Sequence, residues 1–146
     1  MIHVFLVLCL FLGLNEGKGG EVTEIKGWIE RLGEGPPGDN NEATEALIKI
    51  GKPVIPYLLE LLEKEPPRSS ARALSREQWA RLRAAHCLSV LGYPEIVPLL
   101  LREIRREPHP IARLIYAIYL TRHDVGKAVE VLVEAVSYTH LTLPTN

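Results

Sequence analysis

The sequence predicts an all-α chain of about three tandem helix-turn-helix units behind an N-terminal helix. Three observations predict it. Ile55, Leu58, Leu59 and Leu62 fall at the i, i+3, i+4, i+7 spacing of one helical face. Val97, Leu100, Leu101 and Ile104 repeat that stripe 42 residues later, and Val129, Leu132, Val133 and Val136 repeat it 32 residues after that. The preceding segments agree, at a step of 41 residues: Ala43, Ala46, Leu47 and Ile50 correspond to Ala84, Cys87, Leu88 and Leu91, with Gly51 matched by Gly92. Leu114, Ala117, Ile118 and Thr121 continue the series more loosely, and Glu65-Pro66 is matched by Glu107-Pro108 as a stop signal. A periodic supersecondary unit of this kind is the mark of a repeat architecture.

The totals agree with a single folded domain. The chain has 146 residues, 47% of them apolar and 24% charged, which allows one modest core. A net charge of −1 gives no bulk attraction to nucleic acid or to an anionic membrane.

Taken in order, residues 1–19 read as a signal peptide. VFLVLCLFLGL, Val4 to Leu14, is too short to span a bilayer, and the small residues of NEGKGG follow it. Export to the periplasm or beyond is the expectation, with the cytoplasm as the alternative if this segment is not a leader. Residues 21–32, EVTEIKGWIERL, place Val22, Ile25, Ile29 and Leu32 on one face of a first helix. GEGPPGDN then breaks the chain. The first repeat spans about residues 41–65, with Asn40 or Asn41 as N-cap and Gly51 as a left-handed C′ residue. EPPRSSARALSR, Glu65 to Arg76, reads as an enlarged loop between repeats. Ser75 and Gln78 form a capping box at the head of the second repeat, residues 76–107. The third repeat, 110–135, turns through Arg122-His123-Asp124 without a glycine, and Asp124 is expected to act as an N-cap.

NEATEALIKIGKPVIPYLLELLEKE and RLRAAHCLSVLGYPEIVPLLLREIRRE resemble the HEAT-repeat family, especially its short bacterial type found in phycobilisome-lyase-like proteins. Each has a small-residue-rich first helix, a glycine, and a proline (Pro56 or Pro98) near the start of an apolar second helix, where first-turn amides lack intrahelical acceptors. The resemblance covers about Asn41 to Ala135. It implies a right-handed α-solenoid that binds a protein partner. The alternatives it implies are an enzyme-associated solenoid, bilin-lyase-like or part of a larger enzyme, and a nucleic-acid-binding HEAT-like protein.

The repeat offsets make Glu60, Arg102 and Glu134 equivalent, and likewise Glu63 and Arg105. Such a row reads either as a solvated ladder or as a binding edge, and the second-helix row around Tyr57, Glu60, Arg102 and Arg106 is the expected partner surface. Arg76, Arg81, Arg83, Arg102, Arg105 and Arg106 are diluted by Glu77, Glu95, Glu103 and Glu107, so a solvated face is expected in place of a phosphate site. Tyr116 and Tyr119 are expected to pack between helices with wet hydroxyls, and Trp28 and Trp79 to serve as core or cap residues. Cys87 on an apolar face reads as an inert thiol. His3, His86, His109, His123 and His140 show no HExxH spacing, and CxxC, nucleophile-elbow and Walker patterns are absent. The expectation is a non-catalytic protein-interaction scaffold with no cofactor, no metal and no stable membrane span.

The last eleven residues, VSYTHLTLPTN, differ from everything before them. The string resembles the translation of a transposase-type sequencing adapter. Residues 136–146 are therefore expected to be a non-native tail, and the chain a truncated piece of a longer repeat protein.

Overall fold

Side-chain caps fix where the helices begin. Asn41 Oδ1 accepts the Thr44 amide at 2.8 Å, while Thr44 Oγ1 accepts the Asn41 amide at 2.9 Å. Ser75 and Gln78 make the same reciprocal pair at 3.2 and 2.7 Å, as their spacing predicts. Asp124 Oδ1 accepts the Lys127 amide at 3.0 Å. His109 Nδ1 accepts the Ile111 amide, which leaves Nε2–H as the donor to the Ala71 carbonyl at 2.9 Å. This histidine both starts a helix and ties down the long loop that precedes Arg76.

The computed structural model describes residues 19–68 and 71–142. Among them the chain is all-α, with no strand: α1 (Gly19–Glu30), α2 (Glu42–Ile50), a 3₁₀ turn (Lys52–Val54), α3 (Ile55–Glu63), α4 (Arg76–Val90), α5 (Ile96–Arg106), α6 (Pro110–Thr121) and α7 (Val125–Thr142). The leader expected over residues 1–19 lies outside the described residues except for Gly19. No helix among those described is long and apolar enough to cross a membrane.

Helix α1 packs on α2 and α3, and the other contacts keep to near neighbours in sequence. The first helices form one series, α2 on α4 and α4 on α6, while α3 packs on α4 and α5 on α6. Gly51 and its equivalent Gly92 end α2 and α4 at φ 90° and 72°, as the repeat pattern requires. Gly33 is needed for a different reason. A Cβ there would lie 2.3 Å from the Arg76 carbonyl oxygen, so only glycine lets the end of α1 rest on the start of α4.

Three expectations differ from the fold. The first helix spans 19–30, not 21–32: the Arg31 and Leu32 amides bond three residues back, tightening the chain into a turn, although Leu32 stays buried. The helical pattern does not stop at Val136, because α7 continues to Thr142; after Gly126 the first strong breaker in the sequence is Pro144. The arginine cluster is a solvated face only in part, at Arg76, Arg102 and Arg105. Arg81 and Arg83 are buried, because α4 is enclosed on every side from Arg81 to Ser89.

The core runs through Leu32, Leu47, Leu58, Leu62, Leu82, Leu88, Leu100 and Leu120. It thins toward the last helix pair, where Ile111, Leu114 and Ile118 of α6 and Val125, Val129 and Val133 of α7 are about half exposed.

Candidate partner-binding surface

Helix α5 organises the expected surface, and it does so through a residue the apolar pattern skips. The face it buries is Ile96, Leu99, Leu100, Glu103 and Glu107, one position round from the stripe read from sequence. Glu103 is fully buried and gathers three arginines. Arg81 Nη2 donates at 2.5 Å, Arg102 Nε at 3.2 Å with its Nη2 in ion-pair contact at the same distance, and Arg106 Nη1 at 3.3 Å. Arg81 and Arg106 also donate to the carbonyls that end α3, among them Leu62 and Lys64. A helix C-terminus leaves such acceptors open and carries partial negative charge, so two guanidinium groups belong there.

The four residues expected to bind a partner therefore separate. Arg102 and Arg106 come together, but around Glu103, and Arg106 is engaged in closing the end of α3. Tyr57 is partly buried against the core, and Glu60 is exposed without an ion pair to Arg102. Glu134 is exposed on α7. The charge row does not form bridges from one second helix to the next. Only Arg102 of the four lines an open groove of about 270 Å³, together with Leu59 and Glu63 of α3, Tyr93 and Glu95 of the α4–α5 turn, and Pro98 and Leu99 of α5. Burial, with Glu95 alongside, holds the Tyr93 hydroxyl above its ordinary range, against a smaller opposite effect of Arg102.

Arg83 serves the opposite side of α4. It donates to the carbonyls of Leu32, Glu34, Pro36 and Gly38 at 2.8 to 2.9 Å and stacks 5.1 Å from the Trp79 ring. Burial lowers its pKa, partly opposed by Tyr119 and Asp39, yet a guanidinium remains charged in any protein setting. The GEGPPGDN loop, read from sequence only as a break, has three of its carbonyls held by this side chain. With four of its five N–H donors on carbonyls, this guanidinium keeps one, on Nη2, too few for a forked contact with phosphate.

A second polar group, missed in the sequence, joins that loop to α4 and α6. The Tyr119 hydroxyl donates to Asp39 Oδ1, so it is not wet. Arg122 Nη1 donates to His86 Nδ1 at 3.1 Å and Nη2 lies 3.7 Å from Asp39 Oδ2. Because a guanidinium only donates, His86 is neutral there, and burial lowers its pKa, with Arg122 adding to that and Asp39 opposing it. The Tyr116 hydroxyl is also dry: it is buried beside Arg81, yet neither it nor Arg81 Nε completes a hydrogen bond. Burial pushes both tyrosines well above the usual range.

Ser89 Oγ and His123 Nε2 lie 2.5 Å apart, the one contact with the look of a nucleophile and its base. It sits where α4 and α6 end, amid outward-facing carbonyls, and that is the wrong end of a helix to stabilise an oxyanion. The contact reads as a link between the two helices. Cys87 is pushed up to about 12 by burial, so its thiolate is not available as a nucleophile. Among the described residues no group of three or more His, Cys, Asp or Glu side chains could hold a metal ion. Comparison with protein-family models, curated proteins and solved structures finds no match to this chain.

Proposed function

We propose that this chain is a non-catalytic protein-interaction module, a stretch of a longer right-handed α-solenoid of HEAT-like repeats. One observation carries the proposal. At most positions that the repeat register makes equivalent, the third helix pair is more exposed than the second, Cys87 and Ala117 being buried alike. Leu88 is 0% exposed where Ile118 is 48%, and Ala84 is 0% exposed where Leu114 is 49%. On the second helices the progression is Leu59 buried, Leu101 intermediate and Val133 57% exposed. Each earlier pair covers these positions with the pair that follows it, so the open face of α6 and α7 matches the seat of a further pair.

The test is to append a helix pair with a polar outer face after Ala135, in place of residues 136–146. The expected result is a higher melting temperature and loss of binding of a hydrophobic dye. An unchanged melting temperature would overturn the longer-stack reading. The leader expected over residues 1–19 places the module outside the cytoplasm, and fusing it to a reporter active only after export checks that part separately.

A further inference from the structure

We propose that the groove between α3 and α5 docks a cationic peptide segment, with an apolar side chain on its floor and a lysine or arginine beside it on Glu63 and Glu95. The proposal rests on the interaction-module reading and gives that reading a partner chemistry.

The floor is apolar. Leu59 and Leu99 are the buried residues that line it, with Pro98 and the Tyr93 ring at its sides. At about 270 Å³ it is smaller than the ~300–1,000 Å³ of typical small-molecule sites, so it suits one or two side chains of an otherwise exposed segment.

Charge selects the segment. The groove is lined by two carboxylates and one guanidinium. The guanidinium, Arg102, is already paired with buried Glu103 through two nitrogens. Arg106, the other cation nearby, is taken up by Glu103 and by the carbonyls of Leu62, Glu63 and Lys64. Glu63 and Glu95 have no ion pair among the described residues. Arg102 and Arg106 are thus internally satisfied, while Glu63 and Glu95 line the groove. A cation entering there meets two carboxylates without displacing any existing bond, whereas an anion must compete with Glu103 for Arg102. Electrostatic complementarity of this sort sets the choice of partner more than its affinity.

The experiment uses the full chain and three short fluorescent peptides, each with a central leucine flanked by arginines, by serines or by glutamates. The arginine peptide should bind about tenfold more tightly than the serine one, the size expected of two exposed ion pairs, and the difference should shrink as salt is added. The E63Q/E95Q double variant should remove the difference. The E63K/E95K variant should transfer the preference to the glutamate peptide, a gain that misfolding cannot produce. A preference that survives E63Q/E95Q, or a wild-type preference for the glutamate peptide, overturns the proposal. Equal binding of all three peptides that Pro98→Trp abolishes overturns the cationic assignment and leaves the module reading standing. Binding of none of them up to the solubility limit overturns this docking site, and the module reading is then judged by the appended helix pair alone.

Discussion

Helix pairs α4–α5 and α6–α7 carry the same apolar register and use it in opposite ways. In α4–α5 the register is closed over and even polar side chains are drawn inside: Arg81, Arg83, Gln78 and Glu103 are all buried. In α6–α7 most register positions stand half open, Ala117 excepted, and α6 is buried only along Ala112, Tyr116, Ala117, Tyr119 and Leu120, the side that meets α4 and α5. An apolar stripe is therefore a core only when a neighbour completes it. The sharpest way to break this contrast is at its most enclosed charge. Glu103→Ala leaves Arg81 buried without its carboxylate, and removing one partner of a buried pair costs about 3–5 kcal/mol. Chemical denaturation should show a loss of that size. A loss below about 1 kcal/mol would mean that Glu103 is solvated and the α4–α5 interior looser than described.

The next test compares equivalent positions directly. Leu88→Ala empties a fully buried site and should cost about 2–5 kcal/mol. Ile118→Ala, one repeat on and half exposed, should cost about 0.5 kcal/mol. Similar losses at both positions would show that the third pair is covered in solution. Measured on the protein with an appended helix pair, the Ile118 cost should rise toward that of Leu88.

What the sequence made legible follows from the same contrast. The N-cap at Asn41, the capping box at Ser75, the glycine turns at Gly51 and Gly92 and the cap at Asp124 are local, and all are found where expected. The partners of the arginines were not legible, because they depend on carbonyls 17 to 51 residues away. A guanidinium that bonds main-chain oxygens leaves no signature in the residues it meets. One signal was available. Glu103 falls on the α5 face formed by Ile96, Leu99 and Leu100, and a carboxylate at a core position requires buried cations opposite it. Taking every arginine as solvent-facing obscured that demand. At the expected partner surface the same holds for Arg106: the repeat register places it on the second-helix row, while the end of α3 recruits it inward.

A smaller effect is expected at Arg83, which clamps the α1–α2 loop but lies at its edge. Arg83→Met keeps the contact with Trp79 while leaving the carbonyls of Leu32, Glu34, Pro36 and Gly38 to other donors. Asn41 Nδ2 already donates to the Leu32 and Glu34 carbonyls at 2.9 and 3.1 Å, so two of the four keep a partner. The cost should then be about 1–3 kcal/mol, with faster amide exchange confined to residues near the loop. Exchange accelerating equally throughout α4 would show instead that Arg83 supports the whole pair.

The smallest effect concerns the contact that joins the two pairs, His86 of α4 with Arg122 after α6. Burial, reinforced by Arg122, lowers the folded-state pKa of His86, with Asp39 opposing and the Tyr119 ring 5.7 Å away. In the unfolded chain the group titrates near its ordinary value of about 6.5. Above that value both states are neutral and the contribution to stability is complete. As pH falls through it, the unfolded chain takes up a proton that the folded one refuses, so stability declines until the depressed folded pKa is reached. Denaturation midpoints followed downward from pH 8 should therefore start to fall near neutrality, ahead of any carboxylate. His86→Asn keeps an acceptor for Arg122 and removes the titration, so its profile should stay level down to about pH 5. A wild-type decline that persists unchanged in His86→Asn would place the sensitive group elsewhere and leave the joint between the second and third pairs indifferent to protons.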